Sequence, residues 1–373
     1  MATQTNSRLL LGATIGILGG GQLGRMLALA AARMGYRTHI FCPEADNPAS
    51  QVATAASFAD YGDEKALAEF ASKVDVVTYE FENVPAATAA FLEKKKIVRP
   101  SWRALEVAQD RTKEKAFFTG IGVGVAPWRA VNTLDELRAG LGEIGTPAVL
   151  KTARLGYDGK GQAKILKAED AEAAWRAIGG DKAKTHADGG PFAVLEGFVD
   201  FDCEISVIVA RGADGEVRAF EPARNVHTHH ILDTSTVPAR VGANAVMAAI
   251  AATGKAATEL GVVGLLAVEF FVTRDGKVLA NEMAPRPHNS GHWTMDACQT
   301  DQFMQMVRAV CGLPLVDPSR FADATMKNLV GEDVNALDKY LADPNAHVHL
   351  YGKREARPGR KMGHVNIVKL PRA

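Results

Sequence analysis

Apolar positions in the first hundred residues change period several times. A β-branched and apolar run at 13–18 precedes three consecutive glycines. After them Leu23, Leu27, Ala30, Ala31 and Met34 recur at the spacing of one buried helical face. Gly35 ends that helix, and 37–42 reads as a second strand before Pro43. Residues 66–72 return to helical spacing, 74–79 to a strand, and Ile97-Val98 before Pro100 to a fourth short strand. Strands alternating with helices predict a parallel sheet wound with right-handed crossovers.

The texture changes at Asp110. A helix runs through Lys115 to about Gly120, residues 147–151 read as a strand, and a glycine-rich stretch follows at 156–161. Strand patterns at 192–196, 204–210 and 217–221 predict an antiparallel meander. An alanine-rich helix is expected over 243–260. Residues 265–273 and 278–283 flank Asp275-Gly276, a strong local hairpin signal. The fold class is therefore α/β in the first third and α+β overall.

Composition narrows the class. At 373 residues, 47% hydrophobic and 23% charged, the chain suits two or three soluble domains. Its 43 basic side chains balance 43 acidic ones, so no net charge draws it to nucleic acid or to a membrane. Residues 351–373 are locally basic, with Glu355 their single acid. Cys42, Cys203, Cys298 and Cys311 lie far apart, which excludes a disulfide scaffold or cysteine zinc site and fits a reducing cytoplasm. No apolar run approaches the ~18 residues of a membrane span. Residues 9–21 imitate a signal-peptide core but lack a cleavage site.

Three constellations could carry chemistry. Gly19-Gly20-Gly21-Gln22-Leu23-Gly24 satisfies G-x-G-x-x-G between strand and helix, with Glu44 about 25 residues on. This fits a nicotinamide dinucleotide, another phosphate-bearing ligand at a helix N-terminus, or close packing of the turn. The second glycine loop carries Tyr157, Asp158 and Lys160 and follows Lys151 and Arg154. It either folds over phosphates or is a solvated hairpin tip. The hairpin acids are the sharpest signal. With Asp275 and Gly276 as a two-residue turn, Glu269 and Glu282 each stand six positions away and oppose one another. At ~5 Å and an effective dielectric of about 20 such a pair repels by roughly 3 kcal/mol, which a divalent cation or shared proton would offset. His227, His229 and His230 have metal-like spacing but no evident carboxylate or cysteine partner. Arg286, His288, Asn289 and His292, just past the hairpin, suit substrate anchoring.

These pieces resemble the ATP-grasp superfamily, and within it the 5-(carboxyamino)imidazole ribonucleotide synthases of purine biosynthesis. The resemblance rests on G-G-G-Q-L-G-R-M at 19–26, Y-E-F-E-N-V-P at 79–85, G-Y-D-G-K-G-Q at 156–162, N-E-M-A-P-R-P-H-N-S-G-H-W-T at 281–294 and Y-G-K at 351–353. It implies an ATP-grasp fold with a Rossmann-like N-terminal domain (1–110), a small lid (111–198) and an antiparallel-sheet central and C-terminal domain (199–373). It also implies a cytoplasmic, homodimeric ligase that consumes ATP with Mg²⁺ (or Mn²⁺), bicarbonate and 5-aminoimidazole ribonucleotide.

Carried over by motif, Arg111, Lys115 and Lys151 would hold ATP phosphates under the loop Gly156, Tyr157, Asp158, Gly159, Lys160, Gly161 and Gln162. Glu196, Gly197, Phe198 and Val199 would meet adenine through backbone groups, Glu204 the ribose, and His227 the nucleotide. Glu269 and Glu282 would be metal ligands with Asn281 beside them, although in a regular strand Asn281 points away and would need a local twist. Gly21, Gln22, Leu23, Glu80, Lys353 and Arg360 would bind the ribonucleotide. Tyr157, Asp158, Arg286, His288 and Asn289 would surround the labile carboxyphosphate. A formate-dependent glycinamide ribonucleotide transformylase is the nearest rival, and a nicotinamide dehydrogenase the rival from another class.

Overall fold

Residues 8–154, 161–182 and 189–370 are described by the structure, a computed structural model. The strands β1 (Thr14–Leu18), β2 (Arg37–Cys42), β3 (Ala55–Phe58), β4 (Val76–Tyr79) and β5 (Ile97–Val98) form a parallel sheet in the order β3-β2-β1-β4-β5. The central strands are buried almost continuously, as a sheet covered on both faces requires. Helix Gln22–Arg33 supplies part of that cover with Leu23, Met26, Leu27, Ala30 and Ala31. The pattern predicts four of these strands. The fifth, β3, is an edge strand of Ala-Ala-Ser-Phe whose residues all keep some exposure, so it leaves no apolar run to detect.

A second sheet, β6 (Trp128–Val131), β7 (Ala148–Thr152), β8 (Gln162–Ile165) and β9 (Ala193–Gly197), is antiparallel in the order β6-β9-β7-β8. The third sheet contains β10 (Phe201–Arg211), β11 (Val217–Ala219), β12 (Ala223–Thr228), β13 (Ile231–Val237), β14 (Gly264–Thr273), β15 (Val278–Ala284), β16 (Asp323–Val330), β17 (Ala346–Leu350) and β18 (Lys361–Lys369). Its order is β15-β14-β10-β12-β13-β16-β18-β17, with β11 paired to β10. The expected meander is thus corrected. β10 and β11 do pair antiparallel, but β9 belongs to the second sheet, because only three residues separate it from β10 and the chain changes sheets there.

The β14–β15 hairpin reaches the expected pairing by another route. Its loop has three residues, Arg274–Asp275–Gly276: Thr273 N–H donates to Lys277 O at 2.9 Å and Gly276 N–H to Thr273 O at 2.9 Å. Near the turn the register is Phe270↔Ala280. Past a bulge it becomes Glu269↔Glu282, leaving Asn281 as the extra residue. A longer turn and a bulge cancel, and the two glutamates oppose one another as predicted.

Candidate active site

The three sheets meet around a cleft of about 830 Å³. Loops after β1 and β4 contribute Gly21, Gln22, Leu23 and Glu80. The second sheet and the helix leading to it contribute Arg111, Lys151, Gln162 and Phe198, and β10–β13 contribute Glu204, His227 and His230. The hairpin and the segment after it bring Glu269, Asn281, Glu282, Arg286, His288 and Asn289, and the basic end brings Lys353, Arg360 and Lys361. Because Asn281 is the bulged residue, it and Glu282 both line the cleft, which a regular pleat forbids.

Not every expected residue reaches the cleft wall. Lys115, 1% exposed, lies behind it, and its Nζ and that of Lys151 share Glu196 Oε2 at 3.2 and 3.1 Å. Burial alone would raise the Glu196 carboxyl, but the two lysines hold it below its ordinary range. The N–H groups of Gly197 and Phe198 donate to Pro127 O and Pro147 O, so neither is available to a base. Among the described residues Val199 N–H carries no hydrogen bond. Gly161 and Gln162 are described, whereas Gly156, Tyr157, Asp158, Gly159 and Lys160 lie outside the described residues.

The first glycine loop has its anion already. Glu80, 6% exposed, accepts from Gly21 N–H at 2.6 Å and Gly24 N–H at 3.0 Å, at the N-terminus of helix Gln22–Arg33. A Cβ at Gly19 would lie 2.5 Å from Glu80 Cγ, and one at Gly21 would lie 2.6 Å from its Oε1. The glycines therefore make room for a carboxylate of the chain itself, which takes two of the N–H groups at this helix end, while Gly21, Gln22 and Leu23 still line the cleft. Burial raises Glu80 against these two hydrogen bonds.

Electrostatics set the cleft's character. Burial, then Glu282, raises Glu269 to about 7. His227 Nδ1 lies 3.1 Å from Glu204 Oε2, and the donor atoms of Glu204, His227 and Glu269 are all within 4.8 Å of one another. His227 thus has the carboxylate partners its sequence neighbourhood hides, since they arrive on β10 and β14; His229 and His230 form the β12–β13 turn instead. Burial would lower His227, but Glu204 and Glu269 raise it. Arg286 Nε donates to Glu82, a residue sequence reasoning passes over although it stands inside Y-E-F-E-N-V-P. Burial and the Arg286 charge hold His288 well below its ordinary value, with Nε2 at 3.5 Å from Glu269 Oε1. Glu114 is also missed: buried beneath the hairpin, it accepts from Met283 N–H at 2.5 Å, and burial followed by Glu282 lifts it to about 8. Lys353 donates to Lys361 O at 2.7 Å; burial and Arg360 depress it to about 8.

A small antiparallel sheet and a large one closing over paired carboxylates and strand lysines define the ATP-grasp class, and the ATP-grasp domain family matches residues 116–303. The ribonucleotide synthetase preATP-grasp domain matches 12–109 and the phosphoribosylaminoimidazole carboxylase C-terminal domain 324–371. The chain belongs to the N5-carboxyaminoimidazole ribonucleotide synthase family: it is 51% identical to the Brucella melitensis enzyme of that name over 96% of this chain and 97% of that one. The Bacillus subtilis enzyme is 43% identical over 96% and 92%. A crystal structure of an ADP complex of such a synthetase superposes with a TM-score of 0.92 at 42% identity, covering 97% of this chain and 94% of that chain. The Aspergillus clavatus enzyme in complex with ADP and 5-aminoimidazole ribonucleotide gives 0.88 at 28% identity, covering 96% and 94%.

Proposed function

We propose that the cleft carboxylates the exocyclic amine of 5-aminoimidazole ribonucleotide with ATP and bicarbonate, giving 5-(carboxyamino)imidazole ribonucleotide for purine biosynthesis. The observation that carries this is one continuous cleft lined by two sets of cations, Arg111 and Lys151 from the second sheet and the helix before it, and Lys353, Arg360 and Lys361 from the basic end of the chain, with acids among them. Two phosphorylated substrates need two such sets.

Bicarbonate oxygen attacks the γ-phosphorus of ATP and ADP leaves, forming carboxyphosphate. The amine nitrogen then attacks the carboxyl carbon, phosphate departs and the amine proton is lost. Arg111 and Lys151 bind ATP phosphates, Val199 N–H meets the adenine edge and Glu204 the ribose hydroxyls. Glu196 holds the Lys115 and Lys151 ammonium groups side by side through its shared Oε2. Arg286, His288 and Asn289 surround the reacting carboxyl group, while Gln22, Glu80, Lys353 and Arg360 orient the ribonucleotide. Tyr157 and Asp158, which the family resemblance puts beside the same carboxyl group, lie outside the described residues.

The residues fit a divalent cation. Glu269 is pushed up by burial and then by a neighbouring carboxylate, and Asn281 adds an oxygen from the bulge. Glu269, Glu282 and Asn281 would hold Mg²⁺, which supplies charge neutralisation to the transferring phosphoryl group. Four buried, unpaired cysteines support a cytoplasmic setting, no helix among the described residues is long and apolar enough to cross a membrane, and a homodimer is expected of the family. A formate-dependent glycinamide ribonucleotide transformylase is not favoured, since the curated relatives carry the carboxylating name.

ADP release measured with bicarbonate or formate, with and without each ribonucleotide, tests the assignment. Turnover should require bicarbonate and 5-aminoimidazole ribonucleotide together. Formate-dependent turnover with glycinamide ribonucleotide would overturn it.

A further inference from the structure

Behind the cleft wall, Gln302 is fully buried at the first position of helix Gln302–Val310. Its Oε1 accepts from His288 N–H at 2.9 Å, and its Nε2 donates to His288 O at 2.8 Å. Those two bonds fix which way the amide faces, because the reversed amide would set donor against donor and acceptor against acceptor. The second Nε2 proton points at His292 Nδ1, 3.0 Å away. An atom that receives a proton donor there has to accept, so neutral His292 carries its own proton on Nε2.

The surroundings hold this arrangement. The His292 ring lies against His364 with centroids 4.6 Å apart, and His364 Nδ1 is engaged by Tyr351 Oη at 2.8 Å. A Cβ at Gly291 would sit 2.8 Å from Gln302 Oε1 and 2.3 Å from Ile208 Cδ1, so glycine at this position lets the amide reach the turn. His288 is set the same way, its Nδ1 accepting from Ser290 N–H at 3.4 Å while Nε2 faces Glu269. Both imidazoles belong to the cleft lining.

Building on the carboxylation reading, we propose that Gln302 is a positioning residue: it clamps the 288–292 turn by both main-chain groups of His288 and sets His292 as a neutral Nε2–H donor. Neutral donors suit the anionic oxygens of bicarbonate and carboxyphosphate, which need hydrogen bonds rather than a base. Gln302 touches no substrate and acts through the two histidines.

Protein labelled with ¹⁵N-histidine gives the test, since long-range proton–nitrogen correlations report which ring nitrogen carries the proton. In the unaltered protein His292 should be protonated on Nε2; a proton on Nδ1 overturns the proposal whether or not the enzyme turns over. Once ionised, the carboxylate of the Gln302→Glu variant can accept from His292 but not donate to it. Gln302→Glu should therefore move the proton to Nδ1 and lower kcat by about a hundredfold, with KM for ATP unchanged. Gln302→Met, uncharged and of similar length, should lower kcat in the same way if the Glu variant does not fold. Normal kcat in a folded variant of either kind would overturn the positioning role. Absence of bicarbonate-dependent turnover in the unaltered protein would instead count against the carboxylation reading, leaving the histidine spectrum to decide the tautomer.

Discussion

Lys353 is a cation kept where cations are disfavoured. Burial and the neighbouring Arg360 bring its ammonium down to about 8, against the partial support of Glu80. A lysine with a depressed value is charged below it and neutral above it, so in the proposed role its attraction for the ribonucleotide phosphate is present at pH 7 and fades as pH rises through about 8. KM for 5-aminoimidazole ribonucleotide should rise over that interval while KM for ATP stays level. Lys353→Arg should flatten the profile, and Lys353→Ala should raise KM at neutral pH by roughly ten- to a hundredfold, the worth of one charge-assisted hydrogen bond of ~1.5–3 kcal/mol. Initial rates across a pH series check all three; a larger effect on ATP would place Lys353 at the other end of the cleft.

The β14–β15 hairpin does its positioning with one surplus residue. Asn281 has no partner across the ladder, so deleting it leaves Phe270↔Ala280 and Glu269↔Glu282 intact and removes only the kink and local twist. The deletion variant should fold, with a cooperative melt near that of the parent, yet lose about a hundredfold or more in ATP turnover because Glu282 is aimed differently and the Asn281 oxygen is gone. Full activity in the shortened strand would show the bulge to be incidental. The same hairpin marks what sequence can and cannot reveal. Alternation and Asp275-Gly276 disclose the hairpin and its facing acids. Turn length and bulge are each invisible, and the facing pair was legible only because their errors are equal and opposite. Helix Gln22–Arg33 and β2 were legible because their apolar periods are unbroken. β3 was not, having no apolar run, nor was the placement of β9, which sheet partners decide rather than composition. Of the cleft, the motif residues announced themselves. Glu82, Glu114 and Gln302 did not, since each acts on a group more than ten residues away in the chain.

Across the whole molecule, long-range polar ties close the cleft between sheets that are distant in sequence. Glu82, from the loop after β4, pairs with Arg286, from the segment after β15. Gln51 donates to Gly352 O at 2.9 Å, holding the Y-G-K segment against the first sheet's loops, and Arg99 donates to Val310 O at 2.9 Å. Arg286 is 11% exposed and Glu82 20%, so Glu82→Gln leaves a nearly buried guanidinium without its strongest counter-charge, with only Glu282 and Glu80 acting more weakly. That change should cost about 3 kcal/mol in denaturant unfolding and lower turnover as well; a stability loss within error would mean the pair is solvent-screened. Glu80 has a consequence of a different kind. A helix end that already holds a carboxylate on two of its N–H groups has less to offer the pyrophosphate of a dinucleotide, however well its glycines match the fingerprint. One side chain from β4's end is the sitting tenant of those two N–H groups, so the fingerprint's glycines serve the chain's own carboxylate before any guest arrives.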